Sequence, residues 1–435
     1  MTIPLALSAQ ARRTTDQPIT HYMQLALGNP ELISLAAGLV DQESLPVAEV
    51  SAVLAELFAA PEAARAALQY GTTQGLPELR EQICRLVARL DGVTPAALGL
   101  TAEETIITTG SQQLLYTLAE ALLDPGDIVI AESPSYFVNH GVLASQGARV
   151  LTAPMDDDGL DTSALEQLLQ QLDRSGELER VKLIYTCDYY QNPSGLTLSA
   201  ERRPRLVELA QRFSRRHRIL ILEDAAYREL GFAPTTTPSV KSYDRDNRHV
   251  VYAGTFSKPC APGLKTGYAL MPKDLVAPIL RFKGVHDFGS SNLTQQILTR
   301  LLDSSAYEKH VAHLRTVYRN KCEAILAALD ESFADWPEVT WTRPEGGMFI
   351  WLAMPDDIDT GPRGELLAAS MREGMLYVPG EFCHVPDSDD RLRRNEMRLC
   401  FGVEPPERLR EAVRRLRQSA DQVRQRARRV ALAAH

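Results

Sequence analysis

The sequence predicts an α/β fold, a mostly parallel seven-stranded sheet covered by helices, followed by a smaller α+β domain at the C-terminal end. Three observations carry this expectation. Between about Tyr70 and Met271, seven short apolar runs alternate with longer amphipathic stretches, the rhythm of strands and helices taken in turn. Several of those runs are apolar on consecutive residues, which requires burial on both faces of a parallel sheet. After Met271 the rhythm gives way to long helical segments with only short strands between them.

In order, the runs are Thr105 to Thr109, Ile128 to Ala131, Ala148 to Ala153, Lys182 to Tyr185, Ile219 to Leu222, Val250 to Ala253 and Tyr268 to Met271. Beyond them, helices are expected over Lys273 to Phe282 and Asn292 to Phe333, and strands around Met348 to Trp351 and Met397 to Leu399. The last stretch, Pro406 to Val430, spaces Leu409, Val413, Leu416 and Val423 near the helical period, with arginines between them. A basic amphipathic helix of this kind reads as the solvated face of a packed terminal helix rather than a membrane or nucleic-acid patch. No internal repeat or low-complexity linker interrupts the chain.

Composition narrows the function classes. Against 56 Asp plus Glu stand 47 Lys plus Arg, giving a net charge of −9, so a cationic nucleic-acid or membrane-surface binder is not expected. The six cysteines form no C-x-x-C pair, which suggests neither a zinc module nor a disulfide framework and fits a reducing, cytoplasmic setting. No run of eighteen apolar residues occurs, and the first residues do not read as an export signal. No metal is expected.

In open α/β sheets, ligands bind outside the carboxyl ends of the strands, where Gly110, Glu132, Thr186, Asp224 and Thr255 lie. Lys258 follows the strand Val250 to Ala253. Low-dielectric walls there would depress its pKa and yield the neutral amine that forms a Schiff base. Alone, a Ser-Lys pair in a loop means little, but the neighbouring strand ends add to it. Asp224, just past an apolar strand, can hold a pyridine nitrogen protonated, and Tyr227 returns to the same side if a helical turn starts there. Asn192, in Gln191-Asn192-Pro193-Ser194-Gly195, is an amide fixed by a turn, able to bond a ring hydroxyl oxygen. Thr108-Thr109-Gly110-Ser111-Gln112 supplies a strand, a glycine turn, a capping serine and a helix start suited to a phosphate. Tyr136 follows the next strand and could stack on a flat ring.

These segments resemble the fold-type I pyridoxal-phosphate enzymes, within the class I/II aminotransferases. The likeness runs from about Leu32 to Phe401 and is greatest to the branch of 2-aminoadipate and kynurenine aminotransferases. Its further marks are Ser34 to Leu39, Leu68-Gln69-Tyr70-Gly71, Tyr227-Arg228-Glu229-Leu230, Pro344 to Phe349 and Val378-Pro379-Gly380. The resemblance implies pyridoxal 5'-phosphate bound through Lys258, which also moves a proton at the substrate Cα. It implies Asp224 on the pyridine nitrogen, Asn192 and Tyr227 on the ring oxygen and Tyr136 on the ring face. Ser111, Gln112, Ser257 and Lys265 would surround the phosphate, joined by the partner subunit's Tyr70 across a two-fold homodimer with shared sites. Arg398 would bind the substrate α-carboxylate, with Gly38 and Asn192 also at the substrate. The implied division is an N-terminal arm over 1–45, a large cofactor domain over 46–315 and a small domain over 316–435.

Two departures from the family pattern stand out. Lys265 occupies a place usually held by arginine, keeping the charge and losing the bidentate fork. Upstream, Ile19-Thr20-His21-Tyr22-Met23 replaces a segment that carries an arginine for a distal acid group in the aminoadipate branch, and His21 near that place is either a substrate contact or a simple packing or surface residue. The function implied is transamination between an L-amino acid and a 2-oxo acid. The alternative is a biosynthetic enzyme of the same fold that decarboxylates, eliminates or forms a C–C bond. A ligand-sensing regulator is not expected, since the few residues before Ser34 cannot hold a DNA-binding domain and linker.

Overall fold

The structure is a computed structural model that describes residues 5–233, 237–385 and 393–433. Each of the seven expected runs forms a strand of one sheet. Its order is Thr105–Thr109, Thr266–Leu270, Val250–Thr255, Leu220–Asp224, Val181–Thr186, Ile128–Ser133 and Arg149–Asp156. A two-residue eighth strand, Gly159–Leu160, closes the far edge as a hairpin. All pairs among the seven are parallel except those of Thr266–Leu270, which runs antiparallel to both neighbours. That reversal follows from the short connection after Thr255, too short for a crossover helix.

The consecutive apolar residues are buried on both faces. Ile128 and Ile130 pack into one core with Ile184, Ile221 and Val250, whereas Val129 and Ala131 pack into another with Leu183, Leu222 and Val251. Helices Gly110–Leu122 and Lys273–His286 cover the second face, and helices Thr162–Ser175 and Arg202–Phe213 cover the first. The helices therefore divide between the two sides and leave the carboxyl strand ends open between them.

The stretch expected as one helix over Asn292 to Phe333 is two, Asn292–Asp303 and Ala306–Ser332, broken at Ser304 and Ser305. Serine side chains compete for backbone hydrogen bonds, and Ser304 Oγ accepts from the Ala306 N–H. Beyond it lies a four-stranded antiparallel sheet ordered Thr340–Trp341, Phe349–Ala353, Glu396–Cys400 and Val378–Pro379. Ile33–Ser34 pairs in parallel with Met375–Leu376, so the N-terminal segment returns to this part of the molecule.

The terminal helix, Pro406–Ala433, buries Leu409, Val413, Leu416 and Val423. Each such side chain contributes about 1.5–3 kcal/mol by leaving water. Its basic face is committed locally: Arg408 pairs with Glu404, Arg415 with Glu411 and Arg417 with Asp335 and Asp421, while Arg424 lies over the Trp336 ring at 4.5 Å.

Candidate active site

A cavity of about 350 Å³ opens at the carboxyl ends of the strands. Ser111, Gln112, Tyr136, Asn192, Asp224, Tyr227, Ser257, Lys258 and Lys265 all line it. They follow five different strands, and only a parallel sheet brings five such ends to one edge.

Lys258 follows strand Val250–Thr255, and its Nζ donates to the carbonyl of Gly38 at 2.6 Å. Burial, reinforced by the charges of Arg398 and Lys265 and opposed by the Cys400 thiol, brings its pKa down to about 8. Asp224 ends strand Leu220–Asp224 and is buried; its Oδ2 accepts from the Tyr185 hydroxyl at 3.0 Å. Burial pushes this carboxyl up to about 6, against the hydrogen bond from Tyr185 and the nearby Ala226 N–H dipole. Oδ1 of Asp224 is buried with no hydrogen-bond partner. A buried, half-satisfied carboxylate beside an open cavity is short of one donor, and a protonated pyridine nitrogen is such a donor.

The turn from Gln191 to Gly195 closes through a bond from Gly195 N to Gln191 O at 2.7 Å. It presents Asn192, whose Oδ1 accepts from Arg398 Nη1 at 2.8 Å and whose Nδ2 donates toward the Tyr227 hydroxyl at 3.4 Å. The arginine thus fixes the amide so that its donor faces Tyr227. Arg398 itself is 2% exposed, stands behind Asn192 rather than on the cavity wall, and packs over the rings of Phe349 and Phe137. Its Nη2 donates to Ala36 O at 2.7 Å, and its Nε has no partner.

The expected capping serine takes a different place. The helix begins at Gly110, Thr109 is its N-cap without a side-chain cap bond, and Ser111 sits inside the first turn. The helix start therefore keeps backbone donors and the positive end of its dipole for an anion. Gly110 has φ +69°, and a Cβ on Gly267 would lie 2.4 Å from Ser111 N, so the neighbouring strand closes against this turn only with glycine there. Lys265 lies exposed at the rim with φ +50°.

Two expected residues lie elsewhere. Tyr70 is 82% exposed on the outer surface, edge-on to Phe288. His21 is exposed on helix Pro18–Gly28, and Met23 lines the cavity in its stead. Residues two apart on a helix point about 200° apart, so only one of them can face inward. The sequence reading also missed Tyr185 and Cys187. A tyrosine within an apolar strand reads as packing, and only the pairing of Tyr185 beside Leu222 places its hydroxyl under Asp224.

Known proteins resemble this chain in sequence and fold. The family described as aminotransferase class I and II matches residues 30–416. Aromatic-amino-acid aminotransferase 1 of Thermococcus litoralis is 33% identical over 389 residues, 89% of this chain and 87% of its own. A kynurenine aminotransferase of Pyrococcus horikoshii, solved in complex with PMP, superposes with TM-score 0.85 at 31% identity, covering 96% of this chain and 97% of that one. An alpha-aminoadipate aminotransferase of Thermus thermophilus, complexed with N-(5'-phosphopyridoxyl)-L-leucine, gives TM-score 0.81 at 31% identity, with 96% and 97% covered.

Proposed function

This chain belongs to the class I and II aminotransferases, which use pyridoxal 5'-phosphate to move an amino group between an amino acid and a 2-oxo acid, and we propose that Lys258, Asp224 and Tyr227 do the chemistry of its cavity. The observation that carries the assignment is the meeting in one cavity of a lysine with a lowered pKa and a buried carboxylate with one free oxygen. Bound cofactor supplies an aldehyde that condenses with amines and a ring that withdraws electrons from the substrate Cα. With the cofactor bound, Lys258 would hold its aldehyde carbon and carry the proton at the substrate Cα. Asp224 Oδ1 would accept from the ring nitrogen, and Asn192 and Tyr227 would hold the ring oxygen. Tyr136 would cover the ring face. Ser111, Gln112, Ser257 and Lys265 would hold the phosphate. Arg398, standing directly behind Asn192, would receive the substrate carboxylate together with Asn192 and the Gly38 backbone.

Other parts of the reading have support of their own. Leu68, Tyr70, Val285 and Phe288 are all strongly exposed, and the Tyr70–Phe288 contact makes an apolar surface suited to a second copy. We take the enzyme to be a homodimer in which the partner subunit's Tyr70 completes each phosphate site. Of the division into 1–45, 46–315 and 316–435, the pairing of Ile33–Ser34 with Met375–Leu376 supports grouping the first segment with the last, while the boundary at 315 falls within the helix Ala306–Ser332. Six buried free cysteines suit the cytoplasm. No helix among the described residues is long and apolar enough to cross a membrane.

One experiment tests the function directly. Holoenzyme incubated with an amino donor alone should release one equivalent of 2-oxo acid and leave the cofactor as pyridoxamine phosphate. Carbon dioxide release or elimination product in its place would overturn transamination.

The phosphate contacts give two further expectations. Lys265→Ala should weaken cofactor retention by about tenfold, the scale of one exposed charge-assisted contact, while Lys265→Arg keeps or improves it through the planar fork. Titration of cofactor-free enzyme with pyridoxal phosphate measures both. Unchanged affinity with lost reaction toward substrate would place Lys265 at the substrate. Gly267→Ala should act more broadly, since its Cβ meets backbone atoms of Gly110 and Ser111 that cannot rotate away. A loss of about 1–3 kcal/mol in stability, seen in thermal melts, should accompany weaker cofactor binding in the same titration.

A further inference from the structure

A hydrogen-bonded chain of three side chains beside the cavity joins the two parts of the molecule that flank it. Ser133 Oγ, at the end of strand Ile128–Ser133, lies 2.9 Å from Nδ1 of His384, and Nε2 of His384 lies 2.6 Å from Oε2 of Glu396. His384 and Glu396 are both buried. A backbone bond from Ser135 N to Cys383 O at 2.8 Å ties the same two segments together.

Each end of this chain leads to the site. Ser133 stands three residues before Tyr136, which lines the cavity. Glu396 opens strand Glu396–Cys400, and Arg398 lies two residues on, on the same face of that strand. The ends meet again where the Arg398 guanidinium sits 5.4 Å from the Phe137 ring centre. A carboxylate can only accept, so Nε2 donates to Glu396, and in the neutral imidazole Nδ1 then accepts from the Ser133 hydroxyl. Around the imidazole, Trp351 packs edge-on at 5.9 Å, and Arg393 stands 3.6 Å from Glu396.

We propose that His384 is a positioning residue for the reaction, setting the spacing between the Tyr136–Phe137 wall and Arg398 through its two hydrogen bonds. The inference rests on the reading of Arg398 as the carboxylate site. Without the imidazole, Ser133 and Glu396 lose their common partner, the wall and the arginine strand are held only by the Ser135–Cys383 backbone bond and the Arg398–Phe137 contact, and the substrate carboxylate meets a displaced fork.

Steady-state kinetics of the holoenzyme test this. His384→Ala is expected to raise KM for both amino donor and oxo acid by about ten- to hundredfold, the cost of a displacement near 1 Å, with cofactor content unchanged. The amide of His384→Asn can stand where Nδ1 stood and keep Ser133, and that of His384→Gln can reach Glu396, so each of these variants should recover part of the loss. Glu396→Gln keeps an acceptor and removes the charge, and should stay near the parent KM if the effect is geometric. A His384→Ala enzyme with the parent KM overturns the proposal, as does one that loses stability and cofactor while its folded fraction keeps that KM. Should His384→Ala fail to fold, His384→Asn, His384→Gln and Ser133→Ala carry the same comparison. Failure of the transamination reading would show separately, as a parent enzyme that releases no oxo acid.

Discussion

Replacing Lys258 by alanine is expected to lower turnover by about 10⁴-fold or more, the upper range for loss of a proton-transferring group, because the same amine also anchors the cofactor. The physical basis is the pKa near 8. At pH 7.5 such an amine is roughly one-quarter neutral, against about 0.1% for an ordinary lysine. The same shift makes Lys258 a cost to the fold. Its folded pKa lies below its unfolded one, so the unfolded chain binds more protons between about pH 8 and 10.5, and stability rises with pH across that window. Below it the full cost is present. Cofactor-free Lys258→Ala should therefore melt no lower than the parent at pH 7, with any gain shrinking as pH rises toward 10.5. In the parent holoenzyme, borohydride reduction should leave the cofactor on a peptide containing Thr255 to Lys265. Modification of another peptide, or turnover within tenfold of the parent in the alanine variant, would remove Lys258 from its role.

Asp224→Ala is expected to lower kcat/KM by about 10²–10³-fold, the scale of one preorganised electrostatic contact to charge that develops during reaction. Asp224→Asn separates charge from shape, since an amide fills the same space and cannot hold the ring nitrogen protonated. Stability should move the other way. With a folded pKa of about 6 against an ordinary 3.8, the folded chain binds more protons than the unfolded one between those values. Stability from this group therefore falls as pH rises through that window, and the cost persists above it. Cofactor-free Asp224→Asn should then be at least as stable as the parent at pH 8 while remaining a poor enzyme. Near-parent turnover of both variants would make Asp224 structural. Melting curves at pH 5 and 8, beside kinetics at one pH, distinguish these outcomes.

The strands, their burial on two faces and most of the cavity wall were legible in the sequence. Those properties are local: an apolar run such as Ile219 to Leu222 must be buried wherever it goes, and the residue after it must stand at a strand end. Lys258, Asp224 and Asn192 could be found for that reason, as could the helix start at Gly110. What these groups touch emerged only in the assembled fold. Tyr185 reaches Asp224 across a strand pair, and Gly38 meets Lys258 from 220 residues away. Arg398 orients Asn192 across 206 residues, and Ser133 meets His384 across 251. The fold also turned Met23 rather than His21 inward, since periodicity shows that a helix has two sides but not which side its neighbours will cover. Strand periodicity is set by each residue's immediate neighbours, whereas hydrogen-bond partners are set by the order in which crossovers lay the strands side by side, and no local stretch of sequence carries that order.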